Sequence, residues 1–248
     1  MIAVAAAALA ACLVVPVSAM HAAAPLPPLA DRPLAPVILD PGHGGDDFGA
    51  VVKGLQEKDI ALTVTRKLRD RLQSHMPVRL TREEDTFVSL DRRVVDSVDW
   101  NGSVFVSIHL NKVRDKSLSG ATIYSYGAET RRRWRPLSHP LVPPMPAPPG
   151  VNAKESSFLA AALVRAMHGD GYRVEKAKSD YYVLKNPAQP SVLIEIGYLS
   201  NPAEAAHLND PAYQDKLADT LAKAIGAYAA GRSLRAETAS IVPAAPRL

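Results

Sequence analysis

Residues 36–45 read Pro36-Val37-Ile38-Leu39-Asp40-Pro41-Gly42-His43-Gly44-Gly45. The apolar run through Leu39 shows no polar alternation, the pattern of a strand buried on both faces. Asp40-Pro41-Gly42 stops that strand in a loop. The glycines flanking His43 free the backbone to bend and leave room around the imidazole. A buried strand that delivers a histidine at its carboxyl end raises the question of what other strands deliver to the same edge.

Outward from this stretch, strands and helices alternate. The spacing predicts a helix over 57–73, with Ile60, Val64, Leu68 and Leu72 on one stripe. Val78–Thr81 reads as a second strand. Ser89 then precedes a helix whose core face is expected to carry Leu90, Val94 and Val98. Ser103–Ile108 and Gly120–Tyr126 read as strands, and a helix from Ser156 carries Leu159, Leu163 and Met167. Tyr181–Leu184 and Val192–Ile196 are the last strands expected. A final helix over Ala212–Ala229 presents Leu217, Leu221, Ile225 and Tyr228. This alternation predicts an α/β fold: a single domain with a twisted, mainly parallel sheet of about six strands and helices on both faces. Active sites of such sheets lie beyond the carboxyl ends of the strands. His43 follows the first strand, His109 ends the third, and Glu195 lies near the end of the last.

The flanks read differently. Residues 1–23 open with an apolar run that closes on Val17-Ser18-Ala19, the form of a secretory signal peptide, although no positive charge precedes it. Leu9-Ala10-Ala11-Cys12 resembles a lipoprotein box, but the apolar residues after Cys12 favour a continuing signal over a lipid anchor. Residues 24–35 form an Ala/Pro-rich linker, 36–231 the folded domain, and 232–248 a flexible tail. Within the domain, 127–154 is an insertion holding Arg131, Arg132, Arg133 and Arg135 and then seven prolines from Pro136 to Pro149, a density that prevents a regular helix. The expected location is periplasmic or secreted. Cys12 is the only cysteine in the 248 residues, so any metal must be held by imidazole and carboxylate. The net charge of +4 favours anionic partners, but no nucleic-acid recognition motif accompanies it. A monomer is expected.

Two histidines and a glutamate form a ligand set known for catalytic zinc. His43 in its glycine loop, His109 at a strand end and Glu57 at a helix start fit that set. Each also has an ordinary use. A histidine can serve a turn, another can be hydrogen-bonded at a strand end, and a first-turn glutamate favours the helix dipole. Their spacing is no compact metal signature. From these residues alone a hydrolase is allowed and not decided. Glu195 says more, because Ser191-Val192-Leu193-Ile194-Glu195-Ile196-Gly197 places one carboxylate inside an apolar run. Buried there, it needs a metal-bound water, an arginine or a raised pKa. Glu204-x-x-His207 has the spacing of a carboxylate-bridged di-metal bundle, but it occurs once and reads as a surface helix feature.

Taken together, Val37–Gly45, Gln56-Glu57-Lys58-Asp59, Leu80-Thr81-Arg82, Ser107-Ile108-His109-Leu110-Asn111 and Leu193–Asn201 resemble, in order, the zinc-dependent N-acetylmuramoyl-L-alanine amidases of the Amidase_3 type. The resemblance covers about 36–229. It implies that His43, Glu57 and His109 bind Zn2+ and that Glu195 is catalytic. It implies hydrolysis of the amide between N-acetylmuramic acid and L-alanine in peptidoglycan. Asn111, just past a ligand, is a candidate substrate contact or a turn-forming asparagine. Some members of the family carry a helix that blocks the zinc until an activator protein moves it. The prolines of 127–154 rule out such a helix there, and the arginines suggest a grip on anionic wall polymer instead. The rival readings are a peptidoglycan peptidase, a non-catalytic wall-binding protein and a periplasmic substrate-binding protein.

Overall fold

The computed structural model describes residues 35–127 and 152–241, with side chains to Arg232. The expected signal peptide, the linker up to residue 34, Cys12 and nearly all of the Arg/Pro insertion lie outside the described residues. So do residues 242–248.

In chain order the elements are β1 (Val37–Pro41), a hairpin of β2 (Val51–Val52) and β3 (Leu55–Gln56), α1 (Glu57–Leu72), β4 (Val78–Leu80), α2 (Leu90–Asp99), β5 (Val104–Asn111), β6 (Ala121–Tyr126), α3 (Ala153–Gly169), β7 (Val174–Ser179), β8 (Ser191–Tyr198), α4 (Pro202–Leu208) and α5 (Pro211–Ile241). Six strands form one sheet in the order β4-β1-β5-β8-β6-β7. Every neighbouring pair is parallel except β6 with β8. The expected α/β class, strand number and mainly parallel character are all present.

Alternation along the central strands sorts their side chains onto two faces. Val104, Val106, Ile108 and Leu110 of β5, with Val192, Ile194 and Ile196 of β8, enter the large core against α1, α3 and α5. Leu68 of α1, Leu163 of α3 and Leu221 of α5 are fully buried there. Ion pairs of Lys67 and Arg71 with Asp215, and of Arg71 with Asp219, join α1 to α5 at the surface. The opposite face has a smaller core of Ile38, Phe105, Tyr124, Val183, Leu184 and Leu193.

Three expectations need correction. The strand placed at Tyr181–Leu184 is a 3-10 turn, Tyr182–Lys185, whose Val183 and Leu184 plug the smaller core. The strand lies earlier, at Val174–Ser179, on the sheet edge. Its sequence Val174-Glu175-Lys176-Ala177-Lys178-Ser179 has little apolar signal because an edge strand is half solvated, and lysine there discourages pairing with other chains. The core face assigned to α2 is also reversed. Leu90 and Val98 are exposed, while Arg93, Asp96 and Ser97 are buried. Finally, α5 continues to Ile241, so residues 232–241 of the tail expected over 232–248 are helical.

Candidate functional site

Parallel register brings the polar residues of β1, β5 and β8 to one edge of the sheet, on its thinner side. Asp40 stands opposite Ser107, and His109 stands opposite Glu195. Between His109 and Asn111 the register with β8 slips, so that Asn111 meets Tyr198. A bulge of this kind re-aims side chains next to a site.

His43 leaves the end of β1 in a left-handed backbone conformation, φ 59°. The turn Gly44–Asp47 closes on itself through paired main-chain hydrogen bonds, Gly44 N to Asp47 O at 2.9 Å and Asp47 N to Gly44 O at 3.2 Å. That turn sets the Asp47 carboxylate 2.9 Å from His43 Nδ1. On the other side of the ring, His43 Nε2 is 3.1 Å from Glu57 Oε1. His109 Nδ1 lies 3.0 Å from the same oxygen. The two imidazoles meet edge to face, with centroids 4.9 Å apart. Glu57 itself is fixed by the main chain: Ala50 N donates to Oε2 at 2.8 Å and Leu110 N to Oε1 at 2.9 Å.

Two glycines make this packing possible. A Cβ on Gly42 would sit 2.4 Å from His109 Cε1. One on Gly49, whose φ is +63°, would sit 2.6 Å from both Glu57 Oε2 and His43 Cδ2.

Glu57 is fully buried, yet its carboxylate faces two imidazoles and no lysine or arginine among its described ion pairs. Burial would raise its pKa, but the hydrogen bonds and charges of His109 and His43 hold it well below the ordinary carboxylate value. Burial likewise opposes charge on His43, and Asp47 and Glu57 overcome it, raising the imidazole to about 10. Two nitrogens and one carboxylate oxygen thus converge within 4.8 Å of one another. That cation-seeking pocket has the donor set of a catalytic zinc site. His43, Glu57 and His109, far apart in sequence, are therefore brought together as expected.

Glu195 is fully buried on the strand next to His109. Of the two buried arginines among the described residues, Arg93 pairs with Asp40, and the hydrogen bonds of Arg82 end on carbonyl oxygens. Asn111 is also fully buried, and neither Oδ1 nor Nδ2 has a hydrogen-bond partner among the described residues. Glu204 proves to be a staple. It accepts from Gly120 N at 2.6 Å and Tyr198 N at 2.7 Å, fixing the turn after β8. His207 stacks on Tyr213 and belongs to no metal-ligand group among the described residues.

Asp47 was not singled out from sequence, although an acidic residue four beyond His43 in a glycine-rich loop is a usable signal. Arg93 gave none, because a charged residue in a helix normally faces water.

Residues 37–227 match the Amidase_3 family, described as N-acetylmuramoyl-L-alanine amidase. A germination-specific N-acetylmuramoyl-L-alanine amidase of Bacillus subtilis (strain 168) is 32% identical over 207 residues, covering 77% of this chain and 78% of that protein. The structure of the N-acetylmuramoyl-L-alanine amidase AmiC2 of Nostoc punctiforme superposes with a TM-score of 0.64 at 29% identity, covering 77% of this chain and 95% of that one. The CwlD amidase of Clostridioides difficile, solved in complex with the GerS lipoprotein, gives a TM-score of 0.59 at 29% identity over 79% and 99% of the two chains.

Proposed function

The chain belongs to the Amidase_3 family of N-acetylmuramoyl-L-alanine amidases, and from that membership and the site's geometry we propose that His43, Glu57 and His109 hold a catalytic zinc ion while Glu195 serves as general base. The reaction is hydrolysis of the amide joining N-acetylmuramic acid to the L-alanine of the peptidoglycan stem peptide.

The observation that carries the zinc reading is the Glu57 carboxylate. It is fully buried, with one oxygen within 3.1 Å of two imidazole nitrogens from different elements. Two imidazole nitrogens converging on one buried carboxylate oxygen form a donor set that a divalent cation completes. Asp47 accepting from His43 Nδ1 fits too, since it fixes the tautomer that leaves Nε2 free as a ligand. A zinc ion at this point supplies Lewis acidity, lowering the pKa of water to about 7 and polarising the scissile carbonyl.

The chain's own residues supply the rest. Glu195 takes a proton from the attacking water on its carboxylate and returns it to the leaving amine of L-alanine. Its position beside His109 on the adjoining strand sets it next to the metal group. Asn111 lies two residues beyond His109 on the same strand, and its amide, with no hydrogen-bond partner among the described residues, would offer both a donor and an acceptor to the substrate's peptide groups. Rigid strands, rather than loops, aim His109, Asn111 and Glu195, and this limits the reorganisation needed during reaction.

Peptidoglycan lies outside the cytoplasmic membrane, so this reading places the protein in the periplasm or the medium, consistent with the export signal read in residues 1–23. Among the described residues no helix is long and apolar enough to cross a membrane. The related CwlD amidase forms a complex with a lipoprotein, which supports a protein partner for this chain as well.

The test is digestion of purified peptidoglycan followed by mass spectrometry of the soluble products. Free stem peptides beginning with L-alanine are expected from the zinc-loaded protein. They should disappear with a chelator and with Glu195→Gln. Peptides cut within the stem would replace the amidase reading with a peptidase one. Activity that survives Glu195→Gln would remove the general-base assignment.

A further inference from the structure

The segment Pro41–His43 presents three successive main-chain carbonyls to two buried guanidinium groups. Arg82 Nε donates to Pro41 O at 3.0 Å, and its Nη2 to Gly42 O at 2.8 Å. Arg93 Nη1 donates to Pro41 O at 2.7 Å, and its Nη2 to His43 O at 2.8 Å. Lys58 Nζ continues the series at Gly45 O, 2.8 Å away. The same arginines tie this loop to its surroundings. Arg82 also donates to Lys58 O in the first turn of α1 and to Glu84 O, and Arg93 donates to Val88 O just before α2. Asp40 completes the arrangement. It accepts from Arg93 at 2.6 Å, Thr81 at 2.5 Å and Ser107 at 2.6 Å.

Both arginines are 3% exposed. Burying a guanidinium is expensive, and apolar side chains would fill the same space more cheaply. Two cations beneath a cation site also oppose binding by long-range charge. What they supply must therefore be directional hydrogen bonding. What needs holding is evident in the loop itself: His43 is a non-glycine residue in the left-handed region, a conformation that persists only where its surroundings over-determine it.

We propose that Arg82 and Arg93 are positioning residues of the metal site: by gripping the carbonyls of Pro41, Gly42 and His43 they hold His43 in its left-handed conformation, so that its ring nitrogen faces Glu57 and His109. This rests on the zinc reading above. The planar guanidinium fork spans adjacent carbonyls, which the single ammonium of lysine does not, so charge alone will not restore the grip.

The experiment compares the wild type with Arg82→Lys, Arg93→Lys and Arg93→Gln. Ile225→Ala, which cuts the core far from the loop, is the control for lost stability. Zinc dissociation constants are measured by competition with a chromophoric chelator. Hydrogen exchange of the Gly42–Asp47 amides is followed in the metal-free proteins, and melting temperatures show that each is folded. The arginine variants are expected to bind zinc about 10- to 100-fold more weakly, as outer supporting groups do. Their Gly42–Asp47 amides should exchange faster, while Ile225→Ala keeps wild-type affinity and loop protection. Arginine variants with affinity within twofold of wild type, or a loss matched by Ile225→Ala, would overturn the proposal. Absence of zinc binding by the wild type would instead sink the zinc reading. In that case unchanged exchange at Gly42–Asp47 would still defeat the positioning role, and faster exchange would uphold the grip on the loop.

Discussion

His43 touches Asp47 on one nitrogen and Glu57 on the other, so its ring has little freedom left. Asp47→Ala removes the acceptor that selects the tautomer. Zinc affinity should then fall by about 10- to 100-fold with little change in fold, measured by chelator competition; unchanged affinity would mean that the ring is oriented by its backbone alone. Asp40 gives a prediction in pH. Burial pushes its pKa up, but the Arg93 charge and the hydroxyls of Ser107 and Thr81 hold it below the ordinary value. A carboxylate depressed in the folded state adds stability above its unfolded pKa, about 3.9, and that stability drains away as pH falls through the folded value. Asp40→Asn should therefore melt lower than wild type at neutral pH and lose less between about pH 5 and 3. Parallel acid limbs in the two melting curves would contradict this. Legibility at this scale follows local contrast. Glu195 stood out because a lone carboxylate interrupts an apolar run. Glu57 did not, because a first-turn glutamate has an ordinary explanation, and only its complete burial against two histidines sets that explanation aside. Arg93 and Asp40 were illegible as a pair, since their meeting across 53 residues is a product of the fold.

Among the elements, α1 and α2 were read by one rule and came out opposite. The stripe Ile60, Val64, Leu68 and Leu72 of α1 is buried, as its spacing implies. On α2 the apolar residues Leu90, Val95 and Val98 are exposed, and the polar side turns inward. The reason is demand from the neighbours. Arg93 is drawn to the carbonyls of the His43 loop, and Ser97 accepts from Asn186 Nδ2 at 2.7 Å through its hydroxyl and from Gln189 Nε2 at 3.2 Å through its carbonyl. Periodicity reports how a helix would partition between oil and water, and here specific polar partners prevail over it. The same contest hid β7, whose lysines suit an exposed sheet edge, and promoted Tyr181–Leu184, whose apolar residues serve a plug instead of a strand. The contrast can be measured by denaturant unfolding. Val98→Lys should change stability by no more than about 0.5 kcal/mol, as an exposed substitution does. Leu68→Ala should cost about 2–5 kcal/mol, the usual range for a fully buried leucine. A large cost for Val98→Lys would show that α2 buries its apolar side in solution after all.

In the molecule as a whole, most of the apolar core lies on one face of the sheet, and the site lies at the carboxyl ends of its strands. The large core joins α1, α3 and α5 to one side of the strands. The other side carries the smaller core; His109 and Glu195 stand at the carboxyl ends of β5 and β8, and Glu57 reaches His109 from the start of α1. This layout was legible from the alternation of strands and helices, because sheet direction follows from crossover connections and the site follows from sheet direction. The unequal division of the two faces was not, since it depends on which helix packs where. It carries a consequence for metal removal. The large core is built of apolar side chains, and in the metal-free protein a proton on His43, whose pKa is raised to about 10, offsets the buried charge of Glu57. Chelation should therefore leave the fold intact, with an unchanged far-ultraviolet circular dichroism spectrum at 25 °C. The loss should be limited to the linkage term, about 4 kcal/mol where zinc had stood at a thousand times its dissociation constant, seen as a melting temperature that climbs with free zinc. A chain that unfolds outright on chelation, as small zinc-nucleated domains do, would show that the loop around His43 and the helix start at Glu57 hold the sheet together as well as the metal.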